Sequence, residues 1–401
     1  MSLGILDGLR VIEGSAFVAA PLGGMTLAQS GAEVIRFDQL GGGPDFERWP
    51  LAPDGQSLFW AGLNKGKRSI ALDLQSSAGR ELAVAMIAAT GTFLTNFPAR
   101  GWLDFEALRA QRQDLIMVAL TGDADGKSQV DYTVNPATGF PSVTGPRTLD
   151  EPVNSVLPAW DIALGTLAAF AVLAADRHRA ATGEGGLAHI ALSDVAVAMV
   201  GNLGRLAQAE LGGVATKDGN HLFGAFGHDF ETRDGRRVMV VALTDRQWSA
   251  LCQATGIGVA CEEIEEATGH DLSTQGGRFE ARDLIASLLR PWFVARDLSS
   301  INELFNRAGV SWGPYQTFTQ LATEDARCSL ANPLFAEIEH PGVGRYRMPG
   351  SPVWFENVDR APVSRSPLLG EHTDELLAEV LGLSSTEIGR LHDAGVVAGA
   401  D

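Results

Sequence analysis

The stretch Leu157–Val200, LPAWDIALGTLAAFAVLAADRHRAATGEGGLAHIALSDVAVAMV, sets one carboxylate against a long uncharged run. No charged residue occurs from Ile162 to Ala175, which predicts a buried helix too short to span a bilayer. TGEGG then predicts a turn, and Leu187–Leu192 predicts a strand. Asp161 stands where the predicted helix begins.

Two interpretations of Asp161 are open. An aspartate that opens a helix is commonly an N-cap, whose side-chain oxygen accepts hydrogen bonds from backbone N–H groups. A carboxylate between Trp160 and an apolar helix is also partly desolvated, while the helix dipole favours its ionised form. These two properties suit a nucleophile. The rest of the sequence has to decide between a cap and a catalytic group.

Length and composition predict a two-domain α/β protein. The 401 residues exceed one ordinary core, and 45% hydrophobic residues with 46 glycines suit a globular fold with many tight turns. The formal net charge of −18 at pH 7 argues against general affinity for nucleic acid or anionic membranes. A polyanionic ligand would therefore need a local basic patch.

Neither a disulfide framework nor a bound metal is expected. Cys252, Cys261 and Cys328 are widely spaced and belong to no C-x-x-C or Cys/His cluster. Asp7 and Arg10 interrupt the region where a signal peptide needs an unbroken apolar segment. We therefore expect a soluble protein of the cytoplasm.

The N-terminal region predicts a βαβ unit, with strands at Leu9–Ile12 and Glu33–Phe37 around a helix at Pro21–Ser30. Asp38 follows the second strand, where a dinucleotide-binding fold has an acid for the ribose. The first turn, EGSAFVAAP, lacks the G-x-G-x-x-G glycines that let the backbone approach a pyrophosphate. Nicotinamide-dinucleotide binding is therefore not expected.

Two groups of side chains are candidates for binding an anionic ligand. The first group is Lys65, Lys67 and Arg68, which come just before an alternating, strand-like segment. These cations belong either to a solvated turn or to an anchor for phosphates. The other group follows the strand in FLTNFPARGW: Asn96, Phe97 and Arg100. Ligands of open α/β sheets bind at such carboxyl ends of strands.

The second half predicts a smaller domain. A hairpin turns at Asp234-Gly235, a dipeptide typical of type I′ turns. The polar stretch Glu262–Gly277 is predicted to be a loop, and Ser384 with Glu387 predicts a capping box for the last helix. The domain prediction gives a large domain, a linker, a small domain, and a linker that returns to the large domain, at residues 1–205, 206–224, 225–335 and 336–401.

Several segments carry a family resemblance: LDGLRVIEGSAFVAAPLGGMTLAQSGAEVIRFD, NKGKRSIALDL, TNFPARG, the Asp161 helix with RHRAATGEGGLAHIALSD, and PLLGEHTDELLAEVLGLS. In this order they resemble the class III CoA transferases, the family of formyl-CoA transferase and acyl-CoA racemase. The resemblance covers nearly the whole chain. IEGSAFVAAP, SVLPAWDI, DYTVNP and GAFGHDFET further resemble a branch that moves CoA between two carboxyl groups of one dicarboxylic acid.

The resemblance implies an α/β fold with a Rossmann-like large domain formed by both chain ends and a smaller α+β domain, two chains interlocking as a homodimer. Coenzyme A enters as part of the substrate thioester, with no prosthetic group. The implied CoA contacts are Val18, Ala19, Leu72, Asp73, Leu74, Gln75, Asn96 and Phe97. Gln39 and Leu103 stand near positions where the formyl-CoA enzyme has arginines. Arg100, or the Lys65, Lys67 and Arg68 cluster, is therefore hypothesised to hold the phosphates.

Asp161 matches the family's catalytic aspartate, which implies a nucleophile that forms an enzyme-bound aspartyl-CoA thioester. The glycine-rich segment Leu222–Gly227 is hypothesised to close over the substrate. Gly224, Gly227 and His228 are assigned to the substrate pocket, with His228 as a candidate cation for the free carboxylate.

Three alternatives stay open. Family racemases share the aspartate, but they place a histidine before the acid that resembles Asp131, and this chain has Val130 there. Without that second acid–base group, proton exchange at Cα is hard to run from both faces. No residue excludes intermolecular transfer to a separate acid. A non-catalytic acyl-CoA-binding protein would use Asp161 only as a cap.

Overall fold

The structure is a computed structural model that describes residues 4–400. They form two units. The first contains the described residues up to Thr138, then Ser155–Ala207, and those from Ala326 onward. The second contains Gly139–Asn154 and Gln208–Asp325. The domain prediction places Gly139–Asn154 in the large domain, whereas in the structure this segment belongs to the second unit.

The strands of the described chain are β1 (Arg10–Gly14), β2 (Glu33–Gln39), β3 (Arg68–Leu72), β4 (Thr92–Thr95), β5 (Ile116–Thr121), β6 (Gly186–Ala191), β7 (Phe226–Glu231), β8 (Arg237–Ala242), β9 (Ser311–Pro314), β10 (Phe335–His340), β11 (Gly344–Pro349) and β12 (Val397–Ala398). The α-helices are α1 (Ala19–Ala28), α2 (Leu58–Leu63), α3 (Ser77–Thr90), α4 (Phe105–Gln111), α5 (Asp131–Val134), α6 (Phe140–Val143), α7 (Ala159–Thr182), α8 (Leu192–Asn202), α9 (Arg205–Glu210), α10 (Asp245–Thr255), α11 (Gly258–Thr268), α12 (Gln275–Glu280), α13 (Arg282–Val294), α14 (Leu298–Ala308), α15 (Phe318–Glu324), α16 (Thr373–Leu381) and α17 (Ser385–Asp393). Short 3₁₀ helices lie at Gly101–Leu103, Asn135–Thr138 and Ala326–Cys328.

The first unit is built on a seven-stranded sheet of order β12-β3-β2-β1-β4-β5-β6. Its strands are parallel except β12, which pairs antiparallel with β3. Val11 of β1 faces Val34 of β2, and Ile12 faces Phe93 of β4. The strand order therefore reverses between β1 and β4, and ligands of open parallel sheets bind at such a reversal. The predicted α/β class is confirmed.

Both faces of this sheet are covered, which is why strands such as IMVALT are apolar throughout. One face packs under α1, α7 and α8, with Leu164, Ala168 and Val172 of α7 in that core. The other face packs under α3, α16 and α17, with Leu376 and Leu377 buried there. The predicted capping box at Ser384 and Glu387 is present at the start of α17. Two elements of the chain's C-terminal end, α16 and β12, thus complete the N-terminal sheet.

The structure corrects the prediction of a short, buried helix at Ile162. The helix α7 continues past the uncharged run through Asp176 and Arg179, which form a 3.0 Å ion pair one turn apart. Its outer face is open: Phe170 is 66% exposed. By length and composition alone, α7 is the one helix of residues 4–400 that could span a membrane.

The second unit contains the antiparallel sheet β7-β8-β9 and the helices α10 to α14. The predicted hairpin is β7–β8, but its turn is not type I′, because Gly235 has φ +70° while Asp234 does not have a positive φ. The segment Gly139–Asn154 is tied to this unit because Arg147 pairs with Asp283 at 2.8 Å.

The prediction of a loop at Glu262–Gly277 was wrong. The helix α11 continues to Thr268, and α12 begins at Gln275. Buried Cys261 anchors α11, and Gly269 ends it with φ +71°. The run of acidic residues covers the exposed side of α11.

Candidate active site

The turn that follows β1 lies at the strand-order reversal and is fixed by Asn96. The Asn96 side chain donates to the Ala16 carbonyl at 2.7 Å and accepts from the Ala16 N–H at 2.9 Å. Asn96 and Phe97 follow β4, while Val18 and Ala19 begin α1. Four of the predicted CoA-contact residues therefore meet at the carboxyl ends of neighbouring strands, β1 and β4.

Phe17 occupies the strained point of this turn. Its φ is +67°, and it is the one non-glycine residue of the described chain with a left-handed backbone. Asp45 holds this conformation, because its carboxylate accepts the Phe17 N–H at 3.1 Å. Strained residues of this kind concentrate at functional sites.

Asp45 belongs to a buried charge network beneath the turn. Arg36 donates to Asp38 at 2.8 Å and to Asp45 at 3.0 Å, and its side chain is fully enclosed. Lys67 pairs with Glu13 at 2.7 Å in the same interior. Buried charges of this kind require partners, and removing one partner leaves the other uncompensated. The network thus connects β1, β2 and the start of β3 to the Phe17 turn.

The predicted basic anchor is not assembled as a free patch. Lys67 is enclosed with Glu13, and Lys65 donates to the Pro349 carbonyl at 2.7 Å. Burial lowers the pKa of Lys65 to about 8. Arg68 is shared among three carboxylates within 3.0 Å: Glu33, Glu375 and Glu379. The three cations therefore have structural partners within the chain.

The remaining predicted CoA contacts of the first unit lie after β3 and β4. Leu72 is buried as the last residue of β3, Asp73 and Leu74 are half-buried, and Gln75 is exposed. Arg100 is also exposed, a few residues beyond Phe97.

Asp161 lies in the first turn of α7 but does not cap it. Pro158 is the N-cap residue and has no side-chain capping bond. The capping acceptor is Asp131, whose Oδ2 accepts the N–H groups of Trp160 at 2.8 Å and Asp161 at 3.1 Å. The capping interpretation therefore applies to Asp131. Across residues 4–400, the carboxylate of Asp161 accepts no hydrogen bond.

The helix contact between α1 and α7 fixes where Asp161 stands. A Cβ on Gly165 would lie 2.6 Å from the Ala19 carbonyl oxygen. Gly23 on α1 is also close to α7, because its Cβ would lie 3.0 Å from the Gly165 carbonyl oxygen. Gly165 is one turn beyond Asp161 on the same helix face. Asp161 is thereby held beside the start of α1.

Burial and charge raise the pKa of Asp161 to about 6. The main cause is desolvation of the carboxylate, and the neighbouring charge of Asp131 adds to it. The positive charge of Arg48 opposes both. The group is still mostly ionised at neutral pH, and it is a stronger base than an ordinary aspartate. A poorly solvated carboxylate with a raised pKa is suited to nucleophilic attack.

The pocket residues that the sequence singled out elsewhere lie together in the second unit. Gly224 has φ +77° before β7, while Gly227 and His228 belong to β7. The His228 ring stacks on His221 with centroids 4.1 Å apart. Burial lowers the pKa of His228, so its imidazole is uncharged near neutral pH. His228 therefore does not supply a permanent cation. It lines a cavity of about 320 Å³ in this unit.

Sequence reasoning missed Arg48, Phe17 and the capping role of Asp131. Arg48 lies in the loop GGGPDFERWP, which has no periodic pattern. Asp131 opens α5 and lies 29 positions before Trp160, so no spacing rule joins Asp131 to α7. The sequence has no Ser, Thr, Asn or Asp immediately before α7, which indicates that the capping acceptor must come from elsewhere in the chain. Nothing in the sequence identifies that acceptor as Asp131.

The chain matches a family model described as CoA-transferase family III over residues 6–373. It is 57% identical to 2-methylfumaryl-CoA isomerase of Chloroflexus aurantiacus, with 99% of each chain aligned. It is 29% identical to succinyl-CoA:mesaconate CoA-transferase of Haloarcula marismortui, over 94% of this chain and 96% of that relative. Its fold matches the crystal structure of a CAIB/BAIF family protein from Brucella suis with a TM-score of 0.78 and 25% identity, over 95% of this chain and 100% of that one.

Proposed function

The chain belongs to CoA-transferase family III, and we propose that this enzyme moves coenzyme A between the C1 and C4 carboxyl groups of one mesaconate molecule. The reaction converts 2-methylfumaryl-CoA to 3-methylfumaryl-CoA, so it is an isomerisation by intramolecular transfer. The relative named for this activity is 57% identical over 404 residues. Coenzyme A takes part as a component of the substrate.

The observation that carries the proposal is the state of Asp161. Its carboxylate is released from capping by Asp131, it accepts no hydrogen bond within residues 4–400, and its pKa is raised to about 6. A cap would instead have its oxygens occupied by backbone N–H groups. This arrangement supports a nucleophilic role and counts against the simple acyl-CoA-binding alternative.

The proposed reaction needs no proton transfer and no external acceptor. The Asp161 carboxylate attacks the C1 thioester carbonyl, the C–S bond breaks, and CoA thiolate leaves a mixed anhydride. The thiolate then attacks the aspartyl carbonyl, which releases mesaconate and leaves aspartyl-CoA thioester. The C4 carboxylate of mesaconate attacks that thioester and expels CoA thiolate again. Attack of the thiolate on the C4 carbonyl restores the Asp161 carboxylate.

We propose that CoA lies along the carboxyl edge of the sheet. Val18, Ala19, Asn96 and Phe97 are grouped there, and the free N–H groups at the start of α1 are suitable partners for an anion. The segment Leu72–Gln75 begins at the last residue of β3 and lies at the same edge. For the phosphates we favour exposed Arg100 over Lys65, Lys67 and Arg68, because those three side chains already have partners.

The proposed roles of the second unit rest on the sequence resemblance. Gly224, Gly227 and His228 remain proposed substrate-pocket residues, and Leu222–Gly227 a proposed closing segment. Since the pKa of His228 is lowered, its proposed role is contact with the acyl group and not charge pairing.

We also propose a cytoplasmic homodimer. The three cysteines are free thiols, which suits a reducing compartment. A second copy of the chain would cover the exposed apolar side chains of the first unit, among them Phe170, Val197 and Leu203.

The direct test is to incubate purified protein with 2-methylfumaryl-CoA without any free acid and to separate the two thioester isomers by chromatography. Wild type should form the C4 thioester, whereas Asp161→Ala should lose about 10³-fold or more of the rate. Asp393→Asn, at the exposed end of α17, is the matched control and should react normally. Unchanged activity of Asp161→Ala would contradict the proposed nucleophile.

Intermolecular transfer is the second candidate, favoured by the similarity to a succinyl-CoA:mesaconate CoA-transferase. The two reactions can be distinguished by mixing 2-methylfumaryl-CoA, isotopically labelled in its acyl group, with excess unlabelled mesaconate. Intramolecular transfer keeps the label in the C4 thioester. If the label is diluted by the free pool, or nothing forms until an acid is added, the intermolecular assignment replaces the isomerase.

A further inference from the structure

We propose that Arg48 is the specificity-determining residue of the Asp161 site, and that its guanidinium binds the carboxylate of the acyl group that is not in the thioester. Phe17 and Phe59 position this guanidinium. The inference rests on the proposed function, because it assigns the residue that makes the same site select dicarboxylic acyl groups over monocarboxylic ones.

Two aromatic rings define the place of the Arg48 guanidinium. Its central carbon lies 5.7 Å from the ring centroid of Phe17 and 5.2 Å from that of Phe59. Contacts of this kind hold an arginine while leaving its N–H groups available to an anion. The backbone that carries the Phe17 ring is itself fixed, because Asp45 accepts the Phe17 N–H in a left-handed conformation. The chain therefore stores backbone strain at a residue that positions Arg48.

The charge of Arg48 has no carboxylate partner within residues 4–400. Two other arginines of the sheet are engaged: Arg36 by Asp38 and Asp45, and Arg68 by three glutamates. Arg48 is exposed and packs over Phe17, two residues before Ala19, whose carbonyl oxygen lies against Gly165 of the Asp161 helix. The positive charge of Arg48 also opposes the rise in the pKa of Asp161 that burial and Asp131 cause. An unpaired arginine held beside a nucleophile is suited to a substrate anion.

The proposed reaction creates a particular need for this cation. Once the aspartyl-CoA thioester has formed, mesaconate is a free dianion with no covalent bond to the protein. A guanidinium that binds one of its carboxylates keeps the diacid in place while the other carboxylate attacks. Because the two carboxyl groups exchange roles during the reaction, Arg48 binds the C4 carboxylate of the substrate and the C1 carboxylate of the product.

The test compares two thioesters that differ only at the distal carbon. 2-Methylfumaryl-CoA carries a carboxylate there, and tigloyl-CoA carries a methyl group on the same trans skeleton. Incorporation of labelled free CoA into each thioester measures the first half of the reaction, whether or not isomerisation follows. Arg48→Met should lower kcat/KM for exchange with 2-methylfumaryl-CoA about 10- to 100-fold, the value of a hydrogen bond to a charged group. Exchange with tigloyl-CoA should change less than about threefold.

Two control variants and one further measurement separate this role from a structural one. Arg48→Lys keeps the charge and should recover part of the loss with the dicarboxylic thioester alone. Arg345→Met removes an exposed arginine paired with Glu339 and should affect neither substrate. The charged groups that act on Asp161 are Asp131 and Arg48, and Arg48 lowers the pKa of Asp161. Arg48→Met should therefore raise that pKa and move the acid limb of the pH–rate profile for tigloyl-CoA exchange to higher pH.

The outcomes are distinct from those that test the isomerase itself. Equal losses with both thioesters would overturn the proposal, since Arg48 would then act on the thioester or on the fold. Unchanged exchange with 2-methylfumaryl-CoA would overturn it as well. If wild type exchanges CoA but forms no C4 isomer, the isomerase assignment fails, while the difference between the two thioesters still decides the role of Arg48.

Discussion

Two aspartates near the start of α7 have different properties because they have different partners. Asp131 accepts the N–H groups of Trp160 and Asp161, so its charge is stabilised by the helix end. Asp161 receives no such bonds in the described chain, and burial with the charge of Asp131 raises its pKa. One carboxylate therefore serves the helix and leaves the other available for chemistry.

This division predicts the pH dependence of the reaction. Only the ionised Asp161 carboxylate can attack the thioester, so kcat/KM should fall as pH drops below about 6. The loss should approach about tenfold per pH unit. Asp131→Asn removes a negative charge but keeps a side-chain oxygen that can accept the two N–H groups. The pKa of Asp161 should therefore fall, and activity should persist to lower pH.

The measurement is a pH–rate profile of wild type and Asp131→Asn with the same thioester. Asp131→Ala removes the cap as well and should cost about 1 kcal/mol of unfolding free energy, which chemical denaturation reports. An acid limb that stays in place or moves to higher pH in Asp131→Asn would contradict the electrostatic role given to Asp131.

At the scale of elements, the contact of α1 with α7 determines whether Asp161 stands beside the β1 turn. Gly165→Ala would put a methyl group 2.6 Å from the Ala19 carbonyl oxygen, so the helices must move apart. We expect a loss of about 1–3 kcal/mol in unfolding free energy. Activity should fall as well, because the shift displaces Asp161 from the substrate.

Gly389→Ala provides a matched control in α17. A Cβ there meets nothing within 4 Å, so the same substitution should stabilise the protein by about 0.5–1 kcal/mol through helix propensity. Thermal or urea unfolding of both variants, with isomerase assays, checks the pair. A neutral effect of Gly165→Ala on both stability and activity would contradict the role of this contact.

The elements that sequence predicted well are those whose pattern is local. The βαβ start, the β7–β8 hairpin and the capping box of α17 depend on residues a few positions apart. The helix α11 was missed because its exposed side is acidic and only Cys261 is buried. The polar composition of this segment suggested a loop. One packed face and a C-terminal glycine, Gly269, favour a helix instead.

The sequence singled out Asp161 and Asn96 for the candidate site because one residue type carries the expected chemistry, and their roles stay predictions. The site was not predictable where function depends on partners far apart in sequence. Lys67 looks like a surface cation in NKGKRS, but it is 54 positions from Glu13, its buried partner. Arg48 likewise gains its proposed role only from Phe17, Phe59 and Asp161. Charge patterns alone do not separate a cation that is paired from one that is free.

At the scale of the whole molecule, the exposed apolar side chains on α7 and α8 predict self-association. Phe170 is 66% exposed and Val197 is 54% exposed. Phe170→Glu would place a charge in the proposed interface, so the dimer should weaken strongly. Phe318→Glu, at a 92% exposed position in the second unit, is the control. Size-exclusion chromatography with light scattering distinguishes a dimer from a monomer. A wild type that is monomeric, or a Phe170→Glu variant that stays fully dimeric, would contradict the proposed interface.

The most direct test of a nucleophilic Asp161 is to detect coenzyme A on its side chain. Enzyme in steady state with 2-methylfumaryl-CoA is quenched in acid, digested and analysed by mass spectrometry, with a parallel sample trapped by hydroxylamine. We predict a CoA thioester on the peptide containing Asp161, which hydroxylamine converts to a hydroxamate, and no adduct in Asp161→Ala. Formation of the C4 isomer with no adduct on Asp161, or with the adduct on another residue, would contradict this prediction.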